Sequence, residues 1–116
     1  MRGKDARAAR MTTAVLVFAA LGDAVRLSIV VRLCSDGPLP TIQLKQSTNV
    51  SRQAVTKHLR ILEDVGLVHS DRVGRDRLWR IEMHRLAEIR KYLDQISEQW
   101  DARLERLRTF VEDDNK

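Results

Sequence analysis

The stretch Ser51-Arg52-Gln53-Ala54-Val55-Thr56-Lys57-His58-Leu59-Arg60-Ile61-Leu62 has the two-sided pattern of an amphipathic helix. At about 100° per residue, one side collects apolar residues: Val55, Leu59 and Leu62, extended by Ala54, Ile61 and Val65. The other side collects polar and basic residues: Arg52, Gln53, Thr56, Lys57 and Arg60. Ser51 is a good N-cap, and Gly66 suits the end of a helix that runs to Val65. We predict a helix over 51–65 that packs through its apolar side and leaves its polar side bare.

The segments around this stretch complete an order of elements. We predict a first helix from Thr12 or Thr13 to about 21, a second helix capped by Asp23, and a loop over 36–40. A short third helix opens at Thr41, and a turn over 47–50 leads into helix 51–65. Downstream, 67–73 and 77–81 have the pattern of two strands joined by a turn at Gly74, and a long helix begins near His84.

This order predicts a mainly α fold with a small β-hairpin wing, made of five helices and two strands. A helix-turn-helix followed at once by a hairpin is the outline of a winged helix-turn-helix, a device that reads DNA in the major groove. The length of 116 residues fits one domain. We expect a disordered basic leader over 1–10 and a winged helix-turn-helix domain over 11–116 with a long C-terminal dimerisation helix.

Charge and composition favour an anionic partner in a reducing compartment. The net charge is +5, and residues 41–80 hold eight Lys or Arg against four Asp or Glu, whereas 81–116 hold seven against nine. Cys34 is the single cysteine, which excludes an intramolecular disulfide and a cysteine metal cluster within one chain. No run approaches the roughly 20 apolar residues that span a bilayer. We therefore expect a cytoplasmic protein with no membrane partner.

The polar side of helix 51–65 has side chains that suit DNA recognition. Arginine can fork onto guanine, glutamine can pair with adenine, and threonine can touch a base edge or a thymine methyl. Lys57 and Arg60 are better placed to hold phosphates, as are Ser51 and the amides at the helix start. Arg75 at the wing tip, with Arg72 and Arg77 near it, suits the minor groove or its flanking phosphates. The predicted DNA-binding set is Ser51, Arg52, Gln53, Thr56, Lys57, Arg60, Arg72, Arg75 and Arg77.

Two features of this region have a plainer interpretation. His58 lies in the middle of the apolar side of the helix, which favours a core histidine with one satisfied hydrogen bond over a base contact. For any one wing arginine, the alternative is an ordinary charged hairpin that guards a sheet edge.

The last helix carries an apolar seam at steps of three and four, close to a coiled-coil repeat. The helix has about 28 residues and a length of roughly 40 Å, more than a small domain can cover. Its outer half, from Trp100 on, should therefore contact another subunit. We expect a two-fold dimer through the first and last helices, which would place two recognition helices one DNA turn apart. The predicted interface residues are Val15, Phe18, Ile96, Trp100, Leu104 and Leu107.

Three segments carry a family resemblance over about residues 14–110: 51–68 (SRQAVTKHLRILEDVGLV), 73–80 (VGRDRLWR) and 18–27 (FAALGDAVRL). Together they resemble the ArsR-type winged-helix transcription regulators. The resemblance implies a homodimeric bacterial or archaeal regulator, usually a repressor that leaves its operator when an effector binds. It also implies that helix 51–65 reads bases, that Arg75 and its neighbours form the wing, and that helices one and five form the dimer.

The chain departs from the metal sensors of that family. Those proteins carry a Cys-x-Cys type motif near the third helix or paired His and acidic ligands on the last helix. Here 42–47 contains no thiol, and His84 near Glu88 is more often a surface pair than half a metal site. We therefore expect no metal and no cofactor. The chain resembles the non-metal branch, whose members respond to an organic ligand, to a redox signal or to nothing known; Cys34 is then a thiol switch or, more commonly, a core residue.

Sequence-specific DNA binding as a homodimeric repressor of a palindromic operator is thus the leading hypothesis. The alternative is a winged-helix adaptor that docks protein partners without reading DNA, although such a module does not require Arg52, Gln53, Thr56 and Lys57 to be displayed together. Nothing favours an enzyme, because the sequence has no Gly-rich phosphate loop and no nucleophile-base-acid arrangement.

Overall fold

The protein is described from a computed structural model, which covers the backbone of residues 2–114 and the side chains of residues 6–114. Over that range it forms five helices and three strands. In chain order they are α1 (Arg2–Leu21), α2 (Ala24–Asp36), β1 (Leu39–Pro40), α3 (Thr41–Gln46), α4 (Arg52–Asp64), β2 (Val68–Val73), β3 (Asp76–Ile81) and α5 (Met83–Asp114). The chain divides into two compact units, one that ends at Leu86 and one that begins at Ala87.

The first helix is longer than predicted. The sequence suggested a disordered leader over 1–10, but residues 2–10 are helical and continuous with the rest of α1, while Met1 lies outside the described residues. Alanine and arginine are among the strongest helix formers, and this segment is rich in both. Thr12 and Thr13 do not cap the helix start, because their hydroxyls donate to the carbonyls of Ala8 and Ala9 within it, each at 3.0 Å.

The second helix begins where the sequence placed it. The Asp23 carboxylate accepts a hydrogen bond from the Arg26 amide at 3.0 Å, which confirms the predicted N-cap. Ile29, Val30 and Leu33 form the buried side of α2. Cys34, for which a core position was the more common alternative, is exposed, because it lies past that side on an outward stripe with Leu27 and Val31.

A third strand joins the predicted hairpin. Leu39 and Pro40, expected to be loop, form β1 and pair antiparallel with β3, so that the sheet order is β1-β3-β2. Proline lacks a backbone donor and is therefore tolerated on an edge strand such as β1. Gly74, with φ of +63°, lies in the turn that joins β2 to β3, as predicted.

The inner face of the sheet seals the core. Ser70 lies opposite Trp79 in the ladder, and both are buried. The Trp79 indole donates a 2.9 Å hydrogen bond to the Thr41 hydroxyl, which ties β3 to the start of α3. The three residues of α4 that the helical wheel placed inside, Val55, Leu59 and Leu62, are fully buried. The recognition helix α4 is thus held from behind by α1, α2, α3 and β2.

The apolar content of α1 and α2 does not amount to a single membrane span. Among the described helices, none is by itself long and apolar enough to cross a bilayer. The segment Ala6–Leu21 and the helix Ala24–Asp36 meet the length and composition test only as a pair, and that pair is bent by 101°.

The N-cap of α2 gives a testable pH dependence. The hydrogen bond from the Arg26 amide lowers the pKa of Asp23 more than burial raises it, and the nearby Arg26 and His58 charges lower it further. A lowered pKa stabilises the fold above the ordinary value of 3.8, and this stabilisation is lost as the pH falls through the lowered pKa. We expect Asp23→Asn, which keeps a cap oxygen but no charge, to be less stable than wild type at pH 7, and the difference to be smaller at pH 3. Urea unfolding at both pH values checks this.

Asp23→Ala serves as the reference for that experiment, because it removes the cap oxygen together with the charge. It should lie below the Asn variant at both pH values. An Asn variant that is as stable as wild type at pH 7 and at pH 3 alike would show that the charge contributes nothing.

Candidate nucleic-acid interface

The recognition helix presents the polar side chains that the sequence singled out. Ser51 is the N-cap, and its hydroxyl accepts a hydrogen bond from the Ala54 amide at 3.2 Å. The exposed residues of the polar side are Arg52, Gln53, Lys57 and Arg60, and Thr56 is half-buried. This surface lies opposite the fully buried side of the same helix. The two-sided helix is therefore present as predicted, and its polar side is open.

The wing tip adds two more exposed arginines. Arg75 follows Gly74 in the hairpin turn, and Arg72 lies at the end of β2, where its Nε is 3.5 Å from the Gly74 carbonyl. Both side chains are exposed. The structure thus places Arg72 and Arg75 at the tip of the wing, as predicted.

Arg77 is placed differently from the other predicted residues. It is half-buried on the inner face of the sheet, the face that Trp79 occupies two positions along β3. Its guanidinium donates to the Ser70 hydroxyl at 3.1 Å, and that hydroxyl donates to a Glu63 carboxylate oxygen at 3.0 Å. The structure does not bring Arg77 to the exposed group at the tip; it joins the wing to the end of α4.

An acidic residue that the sequence analysis did not select lies between the wing and the helix-turn-helix. The Oδ1 atom of Asp76 accepts a 2.7 Å hydrogen bond from the Arg77 amide and is 3.9 Å from Nη2 of Arg52. Burial raises the pKa of Asp76, but hydrogen bonds from Arg77, from the Thr41 side chain and from the Ile42 backbone, with the Arg52 charge, bring it below the ordinary value. The group is thus a carboxylate at neutral pH, in contact with β3, α3 and α4.

A second polar cluster supports the recognition helix from behind. Arg26 donates through Nη1 to Nδ1 of His58 at 3.2 Å and through Nε to the Ala20 carbonyl at 2.6 Å. Asp23 Oδ2 is 3.8 Å from the same His58 nitrogen. His58 therefore has the hydrogen bond expected of it, and the bond links α4 to the junction of α1 and α2.

The outer face of the wing is electrically balanced. Arg80 lies 2.9 Å from Glu82 and 3.8 Å from Asp71, and His69 lies 3.2 Å from Asp71. The exposed side of α4 and the wing tip, in contrast, carry exposed positive charge on Lys57, Arg72 and Arg75. Within residues 6–114, no three His, Cys, Asp or Glu side chains are grouped so as to hold a metal ion.

A bare polar helix that follows a tight turn, flanked by an arginine-tipped hairpin, defines a DNA-binding protein of the winged helix-turn-helix class. A family model described as a helix-turn-helix domain matches residues 21–71. The HTH-type transcriptional regulator YuzN of Bacillus subtilis is 40% identical over 68 residues, which are 53% of this chain and 74% of that protein. Together with the solved structure of an ArsR-like regulator that is 34% identical, these matches show that the chain belongs to the ArsR-type winged helix-turn-helix transcription regulators.

Solved structures agree with this assignment. An ArsR-like transcriptional regulator from Rhodococcus sp. RHA1 is 34% identical, with a TM-score of 0.67 over 86% of this chain and 93% of that one. A homodimeric winged helix-turn-helix domain from Mycobacterium bovis shares the fold at 22% identity, with a TM-score of 0.64 over 80% of this chain and 85% of that one. The predicted family, fold and DNA-binding regulatory function are confirmed, and the adaptor alternative is not favoured. The family is one of regulators rather than enzymes.

Proposed function

We propose that the protein is a homodimeric repressor that binds a palindromic operator, with α4 in the major groove and the wing tip beside the minor groove. The observation that carries this proposal is the joint exposure of Arg52, Gln53 and Lys57 on α4, directly opposite three residues that are fully buried. A helix that is packed against the core on its apolar side and exposed on its polar side has the geometry needed to enter a DNA groove.

The proposed roles follow from position along α4. Arg52 and Gln53 stand in its first turn, from which a recognition helix contacts base edges, so they are the proposed sequence readers. Lys57 and Arg60 lie further along and would hold phosphates. Arg60 also forms an ion pair with Glu63, with 4.0 Å between Nη1 and Oε1. The half-buried Thr56 has a short reach, which suits a thymine methyl.

The remaining roles divide between the N-cap and the wing. Ser51 and the amides at the start of α4 would hold a phosphate, because the first turn of a helix offers free N–H donors. Arg72 and Arg75 would contact the backbone or the minor groove from the wing tip. Arg77 would act indirectly by holding the wing to α4 through Ser70.

Dimerisation is supported by apolar side chains that the single chain leaves bare. In α5, Ile96, Trp100, Leu104 and Leu107 are each about half exposed or more, and α1 exposes Val15 and part of Phe18. A contiguous stripe of exposed apolar side chains along a helix is typical of an interaction surface. The homodimeric state of the Mycobacterium bovis domain is in keeping with a homodimer here. We propose that the dimer occupies its operator in the cytoplasm and leaves it on binding a small organic ligand or on a redox signal.

Selection from a pool of random DNA duplexes tests this function. We expect wild type to enrich one sequence. Its affinity for that sequence should fall by about 10³-fold or more between 50 and 200 mM salt, which is typical of a protein with several phosphate contacts. Gln53→Ala should cost about 1–3 kcal/mol at the enriched sequence and relax the base preference at one position. Lys57→Ala should weaken all duplexes alike and reduce the salt slope by about 1.

Lys91→Ala is the matched control, since it removes the same charge from an exposed site on α5. Its binding should be close to that of wild type. If wild type does not bind duplex DNA even at low salt, the repressor proposal is wrong and a protein-docking role must replace it.

A further inference from the structure

We propose that Asp76 is a positioning residue for base recognition, which orients the Arg52 guanidinium and thereby sets the base preference at the start of α4. This inference rests on the proposed function, because it assigns a selectivity device to the same DNA-binding surface. It concerns a residue that does not itself need to touch DNA.

Asp76 is built to hold a fixed position. Its carboxylate accepts from the Arg77 amide at 2.7 Å, and hydrogen bonding by the Thr41 side chain and the Ile42 backbone helps to lower its pKa. Thr41 is itself fixed, because its hydroxyl accepts the indole proton of the buried Trp79 at 2.9 Å. The carboxylate is therefore tied to both β3 and the first turn of α3, and its side chain is only 27% exposed.

Arg52, in contrast, is a long side chain that needs an orienting partner. It is the first residue of α4, its side chain is 58% exposed, and its Nη2 lies 3.9 Å from Oδ1 of Asp76. Guanine recognition requires two parallel N–H donors held in one plane, and an unrestrained arginine loses side-chain entropy when it adopts that geometry. An ion pair through one end of the guanidinium leaves further donors of its five available for a base.

The negative charge of Asp76 means that this residue cannot serve simply to raise affinity for DNA. A carboxylate beside a DNA-binding surface repels phosphates and lowers affinity for every duplex, whatever its sequence. The loss of general DNA affinity that Asp76 causes is offset if the carboxylate raises selectivity for one sequence. Proteins often discriminate between partners with a repulsive group of this kind. Asp76 also competes with phosphates for the Arg52 guanidinium, which favours a base contact over a backbone contact.

The test compares Asp76→Asn with wild type on the sequence that wild type selects from a random duplex pool and on a scrambled duplex of equal length. We expect affinity for the scrambled duplex to be unchanged or higher, and the ratio of selected to scrambled affinity to fall about 5-fold or more. Repeated selection with the variant should show weaker preference at a single base pair in each half-site. A purely structural role would weaken both duplexes together and leave the ratio unchanged.

Asp71→Asn is the matched control. Asp71 lies on the neighbouring strand β2, is exposed, and contacts Arg80 and His69 rather than Arg52. Removal of its charge changes the net charge of the wing by the same amount. We expect the selectivity ratio of this variant to stay at the wild-type value.

A double-mutant cycle locates the effect. In an Arg52→Ala background, Asp76→Asn should no longer alter the selectivity ratio, because the residue through which it acts is gone. Arg52→Lys, at an exposed site where folding is not at risk, keeps the charge but loses the planar fork, and it should lower the ratio on its own. An unchanged ratio in Arg52→Lys, or a full effect of Asp76→Asn without Arg52, overturns the inference.

The outcomes also separate this inference from the proposed function. If wild type selects no sequence, both fail together. If wild type selects a sequence and Gln53→Ala relaxes it, but Asp76→Asn selects the same sequence with the same strength, only the role of Asp76 is wrong. Thermal melting of each variant before binding shows whether it is folded.

Discussion

Trp100→Glu is expected to convert the protein into a monomer and to weaken binding to a duplex with two half-sites by about 10²–10⁴-fold. In the proposed dimer, one subunit bound to its half-site holds the second near the other half-site, and linkage of this kind raises overall affinity by about that factor. Trp100 is a large aromatic residue that is 60% exposed in the single chain, in the middle of the apolar seam of α5. A carboxylate there would have to be buried without a partner, which strongly disfavours association.

Sedimentation and titration of two duplexes measure this effect. Wild type should sediment as a dimer and prefer the duplex with two half-sites to one with a single half-site. Trp100→Glu should sediment as a monomer and bind both duplexes with the same weak affinity. Ala102→Glu is the control, because it introduces the same charge two residues along the helix, on the side opposite the seam.

The result would be informative in either direction. A variant that still sediments as a tight dimer would show that the seam of α5 is not the interface, and α1 with its exposed Val15 and Phe18 would become the alternative. A monomer that retains full operator affinity would contradict binding as a dimer.

Local chemistry made much of the fold predictable from the sequence. Asp23 and Ser51 cap the helices they were expected to cap, because an N-cap depends only on one side chain and an amide three residues away. The two sides of α4 followed from helical periodicity, and Val55, Leu59 and Leu62 are fully buried as that pattern required. Features that are determined within one helical turn can therefore be predicted from the sequence.

Features that depend on partners far apart in the sequence could not be predicted in this way. β1 has two residues, and it exists because Leu39 meets Trp79 across the sheet, forty positions later in the chain. The basic composition of residues 2–10 predicts a disordered leader, but these residues are helical, because alanine and arginine favour a helix. Cys34 lies on an apolar helix, yet it falls on the outward stripe with Leu27 and Val31 and is exposed.

The candidate site shows the same division. The exposed arginines and the glutamine of α4 were identified from residue type and periodicity alone. The placement of Arg77 against Ser70 follows from strand alternation, which put Arg77 on the Trp79 face, and its proximity to Arg75 in sequence was the weaker guide. The pairing of Asp76 with Arg52 joins residues 24 positions apart, and the only sequence signal was an acid between two arginines of an otherwise basic wing.

Leu59→Ala is expected to lower the free energy of unfolding by about 2–5 kcal/mol. Leu59 is fully buried at the centre of the inner side of α4, so truncation would leave a cavity between the recognition helix and the elements behind it. A small domain has a total stability of only about 5–15 kcal/mol, so this single change would remove a large part of it. Urea unfolding at one fixed protein concentration measures the loss, since the stability of a dimer depends on concentration.

Lys57→Ala, two residues away on the exposed side, completes the comparison. Its unfolding free energy should stay within about 0.5 kcal/mol of wild type, as is usual for surface changes, while its affinity for DNA falls. Leu59→Ala should show the converse, with affinity near the wild-type value at temperatures where the variant is still folded. If Leu59→Ala is as stable as wild type, the inner side of α4 is not packed, and nothing would then fix the direction in which Arg52, Gln53 and Lys57 point.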